Sequence, residues 1–369
     1  MRRRRSGPDP QLVAASLILI VFGLAMVYSA SAFQAGRTMG DSWYYAKRQA
    51  AFSAVGLALM AAFARAPYAR LRGWIWPALG ATALALVAVL FTARVAGARR
   101  WFRLGGFGLQ PAEFAKLGVI LYLADYLDRK RSRLERVVPG LLVPVAVVGT
   151  ILLLISLEPD LGTPTLLFVV TLLMLFTGGT RPGHIAGSLA CALPVLAYEL
   201  IRYPYRRRRL MNFLDPFADA QGAGYQLVQS ISAAGTGGLF GVGLGRSTLK
   251  LGYLPAAHTD FIFPVLCEEL GLAGSLGLLA LFIWFFLRGM RAARAAPDMF
   301  GSLVAAGISF LVLLQALFNM AMSVGLIPTK GLPLPFFSYG GSSTLALLSG
   351  VGMLLSVSKQ AREVPARSS

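Results

Sequence analysis

Asp260 is the carboxylate in this chain whose position most suggests chemistry: it follows His258 and Thr259 and directly precedes a long apolar block. A carboxylate at a membrane surface, within reach of a hydroxyl, can take its proton as a general base. Aspartate is also a preferred helix N-cap, so capping the next helix accounts for it equally well. Glu268 and Glu269 lie deeper in the same block, where at least one should face a polar interior.

Three other groups combine charge with unusual backbone. Glu113 and Lys116 stand three residues apart at the start of an apolar block, so they share one helix face and can pair. A structural ion pair and a place beside a site both fit, because ionisable groups at membrane depth are costly and usually face a cavity. Glu158, Pro159 and Asp160 occupy the junction between two blocks, where acids also suit a helix N-terminus. Residues 337–343, Phe-Ser-Tyr-Gly-Gly-Ser-Ser, open the last block after Pro328, Thr329, Lys330 and Gly331. Small residues with free N–H groups at a helix start, Ser342 and Ser343 among them, make an anion cradle. A tight re-entrant turn would read the same way, but Lys330 favours phosphate.

These residues need elements to position them. The chain is 56% apolar and 14% charged, whereas soluble domains carry roughly a quarter charged residues. Its apolar residues fall in blocks close to the ~20 needed to cross a hydrocarbon core. The windows are 12–33, 49–64, 74–92, 111–127, 138–157, 162–179, 185–201, 261–287, 300–323 and 341–357. The expected architecture is an all-α polytopic membrane protein, one integral domain over 1–369 with about ten transmembrane helices. Cys191 and Cys267 lie inside apolar blocks and indicate neither a disulfide framework nor a thiol nucleophile. No small-residue cleavage site follows the opening arginines, so the first helix is expected to be its own insertion signal.

Basic flanks orient the spans. Arg2, Arg3, Arg4 and Arg5 place the N-terminus (1–11) in the cytoplasm; Arg65, Arg70, Arg72 and the run over 129–136 are also inside. So are Arg288, Arg291, Arg294 and the tail (358–369) with Lys359, Arg362 and Arg367. Both termini are therefore expected to be cytoplasmic. Three basic clusters nevertheless fall outside: Arg94, Arg99, Arg100 and Arg103; Arg202 with Arg206, Arg207, Arg208 and Arg209; and Arg246 with Lys250. Outer loops normally avoid such clusters, so either a span is assigned to the wrong face or the outer face holds an anionic ligand, whose phosphate oxygens the planar arginine fork would grip. On the second reading the ligand is a phosphate-bearing lipid head group among membrane lipids, and the net charge of +19 is expected to serve that membrane role with no nucleic acid partner. One long extracytoplasmic loop, 202–260, joins spans 7 and 8. It holds a helix-like stretch over 225–234 and several Gly-rich turns, and loops of that length are usually functional. No inverted repeat of the transporter kind and no nucleotide-binding phosphate loop is recognisable.

Taken together, the ordered motifs resemble the SEDS family (shape, elongation, division and sporulation proteins). They include the stretch 23–31, Lys47-Arg48-Gln49, residues 97–101, residues 110–113, residues 158–163 and residues 224–226. The most specific are Leu254-Pro255 with His258-Thr259-Asp260-Phe261, and Pro328-Thr329-Lys330-Gly331 with residues 338–343. Residues 328–331 and 216–219 look more like the division branch (FtsW-like) than the elongation branch (RodA-like). The resemblance implies a peptidoglycan glycosyltransferase of the cytoplasmic (inner) membrane acting on lipid II, in cell division or in elongation and cell shape. It implies a class B penicillin-binding protein as transpeptidase partner, other divisome or elongasome membrane proteins, and a divalent cation (Mg or Mn) with no nucleotide. The family's essential aspartate falls on Asp260. Asp260 would take the proton of the acceptor 4-hydroxyl, and the pyrophosphate leaving group would need the outer arginines, Arg206 and its neighbours foremost. Lys47, Arg48, Arg99, Arg100, Glu113, Lys116, Arg206, Arg207, His258, Lys330, Ser342 and Ser343 are the expected substrate-binding residues, and metal ligands are unassigned. One departure stands out: Ala256 occupies a place where the family commonly has Glu. A lipid II flippase and a non-catalytic scaffold remain alternatives; polar residues crowding the outer face favour surface chemistry.

Overall fold

The computed structural model describes residues 7–93, 98–104, 107–222, 224–251, 254 and 257–363. Arg2, Arg3, Arg4, Arg5, Arg94, Ala256 and Arg367, discussed above, lie outside the described residues.

Helix α1 (Pro10–Met39) starts where Asp9 accepts from the Gln11 backbone and Pro10 fills the first turn, and it stops at Gly40 in the left-handed region. Proline there loses nothing, since its N–H would be an orphan. Next come α2 (Tyr44–Arg65), a short turn of helix (Tyr68–Trp74), α3 (Ile75–Val89) and the hairpin β1 (Phe102–Leu104) and β2 (Phe107–Leu109). They are followed by α4 (Pro111–Arg129), α5 (Val143–Leu157), α6 (Gly162–Thr177), α7 (Pro182–Arg202), α8 (Pro204–Leu214), α9 (Tyr225–Thr236), α10 (Ile262–Arg294), α11 (Met299–Ser323) and α12 (Gly341–Glu363). Seven helical stretches among the described residues are long and apolar enough to cross a membrane. Helix α6 is apolar but shorter, while α2 and α4 occupy the two remaining windows and carry charges at their ends. The chain is a polytopic membrane protein.

Helices α4, α11 and α12 form the middle of the bundle: most of their residues are buried, although α4 is among the most charged. Helix α7 buries none of its described side chains. The connection between α7 and α10 is not irregular, because it contains α8 as well as α9. The sequence pattern predicts loop where α8 forms, because the segment's mean polarity hides good helix formers, arginine and leucine, behind a proline at the first position.

Helix α10 is broken at Gly271 (φ 66°, ψ −162°), a conformation essentially restricted to glycine. The glycine-rich segment after α9 fills the break. Leu272 and Ala273 donate to the carbonyls of Gly238 (2.9 Å) and Leu239 (3.0 Å), while Val242 and Gly243 donate to those of Glu268 and Glu269 (both 3.0 Å). Backbone groups freed by a break at membrane depth must find partners within the protein, and this segment supplies them. Both glutamates face a buried polar cluster. Glu268 accepts from Ser247 and Thr248, and Glu269 pairs with Lys250 (3.0 Å) and accepts from Ser29 (2.7 Å). A Cβ at Gly271 would lie 2.4 Å from the Gly241 nitrogen. Gly271→Ala should therefore cost at least the ~1–3 kcal/mol of such backbone strain, read as a lower melting temperature of the purified protein in nanodiscs. An unchanged melting temperature would mean that the break is not held in this way.

Candidate active site

Asp260 stands two residues before α10, whose first N–H groups receive no side-chain cap. Helix capping therefore does not account for it. The segment carrying it is pinned by its carbonyls: His258 O accepts from the Tyr339 backbone (2.9 Å), Thr259 O from Ser338 Oγ (2.6 Å) and Asp260 O from Asn319 Nδ2 (2.8 Å). Residues 338–339, at the start of the last span, thus hold the aspartate from one side and α11 from the other. His258 is buried against Tyr45 (4.3 Å between ring centroids) and Tyr339. Burial pushes its imidazole down to about 4, so it is neutral and brings no charge to the site.

Asp260 lines a pocket of about 290 Å³ together with Arg100, Asp160, Arg206, Arg209 and Lys330. Trp101, Leu161, Leu200 and Leu210 add an apolar side. These groups come from five distant segments. Arg100 lies just before β1 and grips the turn between α5 and α6, donating to the carbonyls of Glu158 (2.8 Å) and Pro159. Asp160 accepts from the Gly162 N–H (2.9 Å) and Thr163 Oγ1 (2.8 Å), so it caps α6. Arg206 and Arg209 are three apart on α8 and share a face. Arg206 pairs with Glu199 and Arg209 donates to the Thr329 carbonyl (3.2 Å). Lys330 sits on the strap between α11 and α12 and reaches Thr165 Oγ1 (3.3 Å).

The electrostatics follow from this gathering. Burial, then the Asp160 carboxylate, pushes Asp260 up to about 6; Arg100 and Arg209 oppose the shift and Glu113 adds to it. Burial also lowers the Lys330 ammonium, against the pull of Asp160. Glu158, wholly buried behind the turn, is pushed up to about 8 by burial and Asp160, with Arg100 opposing. A carboxylate near 6 is ionised at neutral pH yet basic enough to accept a proton, the balance a general base needs.

The other expected substrate-binding residues lie elsewhere. Lys47 is exposed and paired with Asp41 (2.8 Å), Arg48 donates to the Tyr44 hydroxyl (2.8 Å), and Arg99 donates to the Leu90 carbonyl (2.8 Å). Arg207 is exposed on α8. Ser342 donates to Gly108 O (2.8 Å) and accepts from Gln110 N (3.0 Å), fastening the β1–β2 hairpin to α12. Ser343 is half-buried in the same turn, and the Gly340 N–H is given to Gln49. Glu113 and Lys116 do pair, at 2.7 Å, both buried. Lys116 then donates to Gln315 Oε1 (2.9 Å), and Gln315 Nε2 donates to Pro333 O (2.8 Å). The sequence offers Arg209 only as one of the run 206–209, and it assigns none of Asp160, Gln315 and Asn319 to substrate binding. Two amides four apart in an otherwise apolar helix are the signal that was available for Gln315 and Asn319.

The donor set bears on the divalent cation. Among the described residues no three carboxylate, imidazole or thiol groups converge, so the protein alone offers no cage. Magnesium commonly takes one or two carboxylates and completes its shell with water and substrate phosphate oxygens; Asp260 and Asp160 fit that smaller role.

A family of proteins described as cell cycle protein, FtsW/RodA/SpoVE, matches residues 10–363. The chain is 43% identical over 360 residues to a probable peptidoglycan glycosyltransferase FtsW of Trichlorobacter lovleyi, covering 97% of this chain and 94% of that one. It is 39% identical over 365 residues to the stage V sporulation protein E of Bacillus subtilis, covering 98% and 100%. Among solved structures it resembles a chain of a peptidoglycan synthase complex studied for its coordination of polymerization and crosslinking (TM-score 0.80, 31% identity, 96% and 98% coverage). It also resembles the Thermus thermophilus rod shape determining protein RodA (TM-score 0.70, 28% identity, 97% and 98% coverage).

Proposed function

The chain belongs to the FtsW/RodA/SpoVE family of cell cycle proteins, and on that premise we propose that it is a peptidoglycan glycosyltransferase polymerising lipid II, with Asp260 as general base. The observation that carries the role of Asp260 is its place among Arg100, Arg209 and Lys330 in one pocket, with a carboxyl poised near 6 and no part in capping α10. In this reading Asp260 accepts the proton of the acceptor 4-hydroxyl as that oxygen bonds to the donor anomeric carbon. The bond from that carbon to the pyrophosphate breaks, and undecaprenyl pyrophosphate leaves as an anion. Cationic groups fixed where that charge develops lower the barrier without reorganising, which is the task of Arg100, Arg209 and Lys330. The apolar wall of Trp101, Leu200 and Leu210 suits the lipid side of the donor. A divalent cation held by Asp260 and Asp160 would supply further charge neutralisation at the pyrophosphate.

The proposed topology is ten spans in one integral domain of the cytoplasmic membrane, both termini cytoplasmic, with the α7–α10 connection outside. Helix α4 supports it: Glu113 stands at its pocket end, and the basic run that begins at Arg129 lies about 24 Å away at 1.5 Å per residue. A class B penicillin-binding protein is the proposed partner, in keeping with the synthase complex that contains a similar chain. The flippase reading is disfavoured because the deeper ionisable groups are engaged with one another: Glu113 with Lys116, Glu269 with Lys250.

Polymerisation of labelled lipid II by the purified protein with its transpeptidase partner is the test, and absence of glycan strands would overturn the reading. The arginines refine it. Arg100→Ala should lower kcat/KM by about 10²-fold, the usual loss for one preorganised donor to a developing anion, whereas Arg99→Ala should stay near the parent. Arg100 also holds the Asp260 carboxyl down, so its loss should move the acid limb of the pH–rate profile to higher pH. Equal effects of the two substitutions would contradict this assignment.

A further inference from the structure

The strap 328–335 that carries Lys330 into the pocket has neither helix nor strand. Two of its exposed-backbone problems are solved by one face of α11. Asn319 Nδ2 donates to Leu332 O (2.7 Å) and, with its other hydrogen, to Asp260 O (2.8 Å). One turn earlier, Gln315 Nε2 donates to Pro333 O (2.8 Å) while its Oε1 accepts from Lys116 Nζ (2.9 Å). Both amides are buried, Asn319 completely.

The chemistry of the partners admits few replacements. Asn319 faces two carbonyl oxygens, so only a group with two hydrogens on one nitrogen satisfies both, and the amide orientation is fixed by that need. Gln315 faces an acceptor on one side and an ammonium on the other, which only a carboxamide joins. Residues four apart on a helix lie on one face, so the two amides form consecutive rungs. They run from the buried Glu113–Lys116 pair, through the strap, to the backbone of the general base. Neither amide lines the pocket, so neither touches the reacting atoms.

We propose that Asn319 and Gln315 are positioning residues for the transferase reaction: Asn319 locks Asp260 to the strap bearing Lys330, and Gln315 couples that strap to Lys116. This rests on the assignment of Asp260 given above. The consequence is specific. The distance between base and ammonium is set by α11, so loss of a rung misplaces both the proton acceptor and the cation that meets the leaving group. Binding of the lipid and sugar parts is left in place.

The test compares Asn319→Leu and Asn319→Asp with the parent, and Gln315→Met and Gln315→Glu likewise. Polymerisation of labelled lipid II is measured over a range of lipid II concentrations, alongside hydrogen exchange of the strap in nanodiscs. Asn319→Leu should lower kcat by about 10²-fold with KM within about threefold, in the range that misplacement by an ångström costs. Asn319→Asp should be as poor or worse, since it turns an oxygen towards two carbonyls. Gln315→Glu keeps the contact with Lys116 but loses the rung to Pro333, and should fall between the parent and Gln315→Met. Each variant should speed exchange at the strap amides. A variant with parental kcat would overturn the proposal whatever its melting temperature. So would parental strap exchange, which is readable even if the parent makes no glycan; an inactive parent would instead count against the transferase reading itself.

Discussion

Asp260→Asn is expected to abolish glycan synthesis and at the same time to raise the melting temperature at neutral pH. A positioned general base contributes about 10²–10⁴ in rate, so the drop in labelled strand product should reach that range and be shared by Asp260→Ala. The stability sign follows from the carboxyl. It is pushed up to about 6, chiefly by burial and then by Asp160, while in the unfolded chain it has its ordinary value near 3.9. Between those values the folded state holds the extra proton. Stability therefore falls as pH rises through that window, and the full penalty of ionising this half-buried carboxylate persists at neutral pH. A neutral amide of the same shape escapes the penalty. Removing a helix cap would do the opposite and cost about 1 kcal/mol. An Asp260→Asn protein that is inactive and more heat-stable at pH 7.5, losing that advantage towards pH 4, identifies a strained functional carboxylate. One that is active, or inactive and less stable at both pH values, would return Asp260 to a structural role. The parent's own rate should climb as pH rises through about 6, when Asp260 becomes able to accept a proton.

The parts of this site that were legible from the sequence are those whose signal is local. Asp260 before an apolar block, the Glu113 and Lys116 spacing, and the proline-rich strap with Lys330 each announce themselves within a few residues. The four arginines over 206–209 show where this fails. A run of identical residues carries no phase, and only the start of α8 at Pro204 decides that Arg206 and Arg209 line the pocket while Arg207 and Arg208 are exposed. The break in α10 is similarly silent: Gly271 is one glycine among many in an apolar stretch, and what makes it a break is a segment about 30 residues earlier that donates and accepts across it. Ser342 and Gly340 offered an anion cradle, but their polar groups meet the β1–β2 hairpin and Gln49. Pairings between distant segments decide which polar groups remain available to substrate, and those pairings have no local signature.

The buried pair Glu113–Lys116 carries the second large expectation. Both side chains are almost wholly inaccessible and lie 2.7 Å apart. Breaking such a pair from one side leaves an uncompensated charge in a medium that solvates it poorly, at about 3–5 kcal/mol. Glu113→Ala and Lys116→Met, each alone, should therefore reduce the yield of folded protein and lower its melting temperature sharply. The double replacement Glu113→Gln with Lys116→Met removes both charges and should recover most of that stability, because exchanging a buried pair for neutral groups of similar volume is often close to neutral. Stability and activity then separate. The double variant lacks the ammonium that meets Gln315, so the strap is no longer tied to α4, and a well-folded protein should still polymerise lipid II more slowly than the parent. Thermal unfolding and strand synthesis on the three variants measure the two effects independently. Full activity in the folded double variant would make the pair a brace for the bundle and nothing more, whereas a stable but slow enzyme would place it in the chain of contacts that sets the geometry of Asp260.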